Sequence, residues 1–164
     1  MFRTAASWIA TLSVTLFVGQ ALAQDKTPPK GADLEGFLAA SATVEAFLKG
    51  ISDGDIEAVM ATVDVPWFDD GTKILRSEDQ LRDLLSEPIR EKELIGLNAE
   101  INEVLSFASL RDKATGSAGE LLKQVANDKD LVFLMKVTVG RKTDDMMLLV
   151  RVNDGKARII GLRD

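Results

Sequence analysis

Residues 44–75, VEAFLKGISDGDIEAVMATVDVPWFDDGTKIL, decide the fold. Working back from Val44, apolar residues recur at three- and four-residue steps: Leu34, Phe37, Leu38, Val44, Phe47, Leu48 and Ile51. That stripe predicts an amphipathic helix from Leu34 to Lys49, with Asp33 as its N-cap and Gly50 as the left-handed residue after its end. Asp53 then caps a second helix over residues 54–63, with Ile56, Val59, Met60 and Val63 inward. Pro66 cannot continue a helix and disfavours helical geometry at Val65, so the chain turns extended. A strand over residues 65–68, the turn pair Asp70-Gly71 and a return over residues 72–75 make a hairpin.

Working forward, Ser77-Glu78-Asp79-Gln80 is a capping box opening a third helix, which Pro88 ends. Leu97, Ala99 and Ile101 alternate with polar residues and predict a half-buried strand running toward Phe107. A second capping box at Ser117–Glu120 opens a short helix to about Ala126. Three strands close the chain, over residues 131–139, 146–153 and 156–162, with turns at residues 140–145 and at Asp154-Gly155. Helices early and antiparallel strands late give an α+β fold.

The last hairpin fixes a register. A two-residue loop at Asp154-Gly155 sets Asn153 opposite Lys156, Val152 opposite Ala157 and Arg151 opposite Arg158. One face then carries Met147, Leu149, Ile160 and Leu162, and the other Leu148, Val150 and Ile159. Both faces are apolar, so both need cover: one from the helices, the other from a second layer such as a partner subunit, which makes a homodimer an expectation.

The ends and the composition bound the functional classes. Arg3, an apolar stretch over residues 9–18 and Ala21-Leu22-Ala23 read as an export signal over residues 1–23, with no stable membrane insertion once it is removed. Residues 24–32, QDKTPPKGA, read as a flexible tether, leaving residues 33–164 as one domain, exported to a periplasm or the cell exterior. There are 26 acidic residues against 20 basic ones, a net charge of −6, which disfavours nucleic acid as a partner. Histidine, cysteine and tyrosine are absent. That excludes a Ser-His-Asp triad, a cysteine nucleophile and a zinc site of the usual type. No metal and no cofactor is called for; Asp144-Asp145 and Asp128/Asp130 lack the spacing of a calcium loop.

Four segments, AFLKGISDGDIEAVMATV, VPWFDDG, SEDQLRDLL and VRVNDGKARIIGL, occur in an order that resembles the nuclear-transport-factor-2-like superfamily. The resemblance covers about residues 33–164, with residues 112–126 as an elaboration. It implies a cone: a curved antiparallel sheet wrapped around the N-terminal helices, a pocket between them, and frequently a dimer through the sheet's other face. The superfamily holds isomerases, cyclases, dehydratases and binding or assembly domains, so it does not select a function. Its isomerases pair an Asp base with a Tyr-containing oxyanion hole, and this chain has no tyrosine.

Six residues are candidates for a site. Asp69, at a strand end beside Trp67, is either a general base or an ion-paired hairpin carboxylate. Trp67, Phe68 and Phe107 line an apolar pocket or belong to the core. Arg151 and Arg158, facing each other, repel unless an anion stands between them or both reach solvent. The anion is an internal carboxylate (Asp64, Asp69 or Glu57) or a ligand's carboxylate or phosphate held bidentately. The expectation is a noncatalytic domain that binds a small amphipathic or anionic ligand, or a protein partner. The alternatives are a lyase or isomerase using Asp69 as base with Arg151 or Arg158 as charge stabiliser, and a structural assembly domain. An enzyme requires a closed pocket with an Asp inside it, and an assembly domain a cone filled by its own side chains.

Overall fold

A computed structural model describes residues 28–29, 33–91 and 94–164. The leader expected over residues 1–23 lies outside them, as does the tether over residues 24–32 apart from Pro28 and Pro29. Helix α1 (Leu34–Asp53) and the short α2 (Ile56–Met60) lead into β1 (Val63–Asp69) and β2 (Lys73–Leu75). Then follow α3 (Glu78–Arg90), β3 (Asn98–Ser106), α4 (Phe107–Leu110), α5 (Gly116–Val125), β4 (Leu131–Val139), β5 (Lys142–Asn153) and β6 (Lys156–Arg163). The strands form one sheet in the order β2-β1-β6-β5-β4-β3, antiparallel except where β1 runs parallel to β6. The sheet is curved and unclosed, with α1 to α3 on its concave side, the expected α+β cone.

The start of α1 follows the sequence reading: the Asp33 carboxylate accepts from the Gly36 N–H at 3.1 Å. Its end does not. Gly50 remains helical because α2 crosses there; a Cβ on Gly50 would lie 2.9 Å from a methyl of Val59. Gly54 takes the left-handed position at φ +73°, and the Asp55 N–H donates back to the Gly50 carbonyl at 2.9 Å, a Schellman closure. Asp55, not Asp53, therefore caps α2, accepting from the Ala58 N–H at 3.0 Å. Helix α3 runs two residues past Pro88, whose fixed φ suits a helix and whose missing N–H falls in the final turn. Neither predicted capping box forms: Ser77 makes no side-chain cap bond, and α5 is led by Thr115 rather than Ser117.

Both Asp-Gly turns form, with positive φ at Asp70, Gly71, Asp154 and Gly155. The first, expected as a two-residue loop, holds three residues, Thr72 included, with Asp69 opposite Lys73; the second holds the expected two, with Asn153 opposite Lys156. Strand β5 starts four residues before the predicted point, because Val139 and Lys142 already pair around Gly140-Arg141. The predicted pairs Val152–Ala157 and Arg151–Arg158 are present. Beyond them the register shifts: Val150 pairs with Ile159 but Leu149 with Gly161. This bulge turns Leu162 away from the face predicted for it and onto the concave side, where it packs against the core.

The concave core is filled. Val44, Phe47, Trp67, Leu81, Phe133, Leu148 and Ile159 are each at most 1 % exposed, and burial of each large side chain is worth about 1.5–3 kcal/mol. Two members of the predicted α1 stripe, Leu34 and Leu38, instead face solvent. The outer face of the sheet has its own core of Phe68, Phe107, Leu122, Val125, Ala126, Val132, Leu149 and Ile160, and its cover is α4 and α5 of the same chain.

Candidate binding cleft

The six candidate residues do not converge. Trp67 and Phe68 are neighbours on β1, so their side chains point to opposite sides of the sheet. Trp67 enters the concave core, and its indole N–H has no hydrogen-bond partner among the described residues. Phe68 enters the outer core, where it joins the same cluster as Phe107. All three are 0–1 % exposed and act as packing.

Asp69 ends β1 beside the β1–β2 turn. The Lys73 ammonium lies 3.4 Å from its carboxylate across the hairpin. Its partner is thus local, the ion-pair alternative of the sequence reading. Among the described residues the buried polar or charged ones are Thr62, whose hydroxyl donates to the Val59 carbonyl at 2.6 Å, and Asp130. Asp130 is therefore the one buried carboxylate among the described residues, and it is ion-paired.

The facing arginines resolve asymmetrically. Arg151 reaches an internal carboxylate, but the carboxylate belongs to Asp130. Nη2 donates to Oδ2 at 2.8 Å and Nε to Oδ1 at 3.3 Å, and Nη2 also donates to the Val125 carbonyl at 2.6 Å. Asp130 also accepts from the Asn127 N–H at 2.8 Å. The three expected anions are engaged elsewhere: Glu57 with Arg82 (2.5 Å), Asp69 with Lys73, and Asp64 with the Val65 N–H (2.8 Å). The hydrogen bond with Glu57, and secondarily its charge, raise the pKa of Arg82 above the ordinary value. Arg158 donates to the Ala157 carbonyl at 2.9 Å and makes no ion pair among the described residues. It lines a shallow cleft of about 340 Å³ with Arg151, Lys156, Asp64 and Asp154.

A larger cleft of about 500 Å³ opens at the mouth of the cone. The first turn of α1, the start of α4, the loop before β4 and the β5–β6 turn meet there. Its apolar floor is Phe37, Leu131 and Val152, and its polar rim includes Asp33, Ser106 and Lys129. Gly36 lets α1 come close to β5: a Cβ there would sit 3.3 Å from a methyl of Val152. By their spacing in the sequence, Asp33 is a cap and Phe37 a stripe residue. They are that, and the sheet's curvature also brings them beside Leu131 and Val152, more than ninety positions away, which no local pattern signals. A third cleft, about 510 Å³, lies on the sheet beside Leu134, Met147 and Arg163. No group of three or more potential metal ligands occurs among the described residues.

No protein-family model matches the chain, and no curated protein does. Solved structures do. A protein of unknown function with a cystatin-like fold from Nostoc punctiforme PCC 73102 is 14 % identical over 80 % of this chain and 91 % of that one, with a TM-score of 0.54. An Rd1NTF2 variant is 13 % identical over 76 % of this chain and 94 % of that one, at 0.51. An NTF-2-like protein of unknown function from Shewanella oneidensis MR-1 is 14 % identical over 79 % and 95 %, at 0.47. With the element order and sheet topology above, the first two likenesses show that the chain has the nuclear-transport-factor-2-like fold.

Proposed function

We propose that the protein is an exported, noncatalytic binding domain that takes a small amphipathic ligand, or an amphipathic segment of a protein partner, in the cleft at the mouth of the cone. One observation carries the reading: the cleft joins an apolar floor (Phe37, Leu131, Val152) to a polar rim (Asp33, Ser106, Lys129). An apolar floor supplies affinity by burial, and a few polar groups at the edge fix orientation. The packed concave core supports the same reading. A ligand cannot go deeper without displacing Phe37 and Leu131, each 3 % exposed. The isomerase alternative needs an enclosed carboxylate, and Asp69 sits at the hairpin edge against Lys73.

The test is a methyl and amide NMR titration with a panel of amphipathic fragments, each an aromatic or alkyl body bearing one polar group. Shifts are expected at Val152, Leu131 and Gly36, and Val152→Asp should weaken them at least tenfold while preserving the spectrum elsewhere. Binding that shifts Val44, Leu148 and Ile159 instead, or fragment turnover lost on Asp69→Asn, would contradict the reading.

A further inference from the structure

The apolar outer face of the sheet is closed from within the chain. Phe68, Phe107, Leu122, Val125, Leu149 and Ile160 are each at most 7 % exposed in a single copy. The cover is α4, α5 and the loop that returns to β4, and it is fastened at both ends. At one end, the Arg151 guanidinium stands off β5 and donates to the last carbonyl of α5, at Val125, and to both carboxylate oxygens of Asp130. A cation at a helix C-terminus is also favoured by the exposed carbonyls there. Arg111, just after α4, pairs with Asp128 of the same loop. At the other end, Ala118 lies against the β1–β2 turn so closely that a Cβ on Gly71 would be 2.6 Å from its own.

Little of that face is left over. Leu134 and Met147 are half-buried, and polar and charged groups surround them, including Asn102, Glu103, Asp145 and Arg163. A stable protein interface needs about 800 Å² per partner with a well-packed apolar centre, and two half-buried side chains ringed by charge do not provide it.

We infer that the chain is monomeric, residues 107–126 holding the place on the sheet that a second subunit would otherwise take. The inserted segment makes self-association through the sheet and intramolecular cover mutually exclusive: the same Phe68–Leu149–Ile160 surface serves one or the other. A second copy of this chain is therefore the natural occupant of the face once the cover is lifted, since the face is present on every copy and a two-fold contact would bury it on both.

Gel filtration with light scattering on the purified chain tests this. The wild type should give the mass of one chain, independent of concentration. Leu122→Asp/Val125→Asp, which sets two charges beneath the cover, should give about twice that mass or more, with the far-UV circular dichroism retained. Should that variant fail to fold, Leu122→Ser is read the same way, with association rising with concentration. A wild-type mass of two chains overturns the proposal. So does a folded variant that stays at one chain mass, because the exposed face would then have no tendency to pair. Neither result bears on fragment binding at the cone's mouth.

Discussion

At the scale of single residues, the outcome turns on partners that sequence distance conceals. The Arg151–Arg158 register was legible, because a two-residue Asp-Gly loop leaves no freedom in the count. The need for an anion followed from it. Its identity did not, since Asp130 comes to Arg151 through the β4–β5 register, Leu131 standing opposite Val150, and the expected turn over residues 140–145 left that register open. Arg151 and Asp130 are 18 % and 4 % exposed at their side chains, and removing one partner of a buried pair costs about 3–5 kcal/mol by leaving the other uncompensated. Asp130→Asn and Arg151→Met should each lower the urea midpoint strongly. The double variant should lose less than the sum of the two, and full additivity would show that the pair does not act as a unit. Gly161 is a second such residue. A Cβ there would stand 2.8 Å from the Cβ of Phe68 and 3.1 Å from its carbonyl oxygen, so Gly161→Ala should cost about 1–3 kcal/mol by overpacking. An unchanged melting temperature would mean that β1 does not approach β6 so closely.

At the scale of elements, the signals that were read correctly were those set by backbone chemistry. Both Asp-Gly turns, the N-cap at Asp33 and the extended geometry before Pro66 depend on local sterics and stand where they were expected. The errors lie where tertiary packing chose between two similar signals. Gly50 and Gly54 are both fit to end α1, and the crossing of α2 uses the first as a contact and leaves the second as the terminus. The bulge between Leu149 and Val150 left no trace in a hairpin whose two faces are equally apolar, so the reversal of Leu162 was invisible. The final turn offers a direct check. Gly155 has φ +72°, and a side chain there costs about 1–2 kcal/mol. Gly155→Ala should therefore destabilise by that amount in chemical denaturation, whereas Gly155→Asn should cost clearly less. Equal losses would argue against the left-handed conformation.

At the scale of the whole molecule, the architecture was legible in the order of the elements and the site was not. A cone is implied once helices, hairpin and meander follow one another, but whether its interior is open or packed depends on volumes that no periodicity encodes. Here it is packed, with Trp67 buried among its members, and the cleft moves to the mouth. The segment read as an elaboration proves to be the second layer of the fold, doing the covering that the apolar hairpin demanded. Trp67 tests this arrangement most directly. The sequence holds two tryptophans, Trp8 and Trp67, so in the Trp8→Phe chain all indole emission comes from a side chain that is 1 % exposed. The account predicts blue-shifted emission that acrylamide barely quenches, with or without an amphipathic fragment bound. Red-shifted, readily quenched emission, or quenching that a bound fragment abolishes, would mean that the concave interior is open and that ligands enter it.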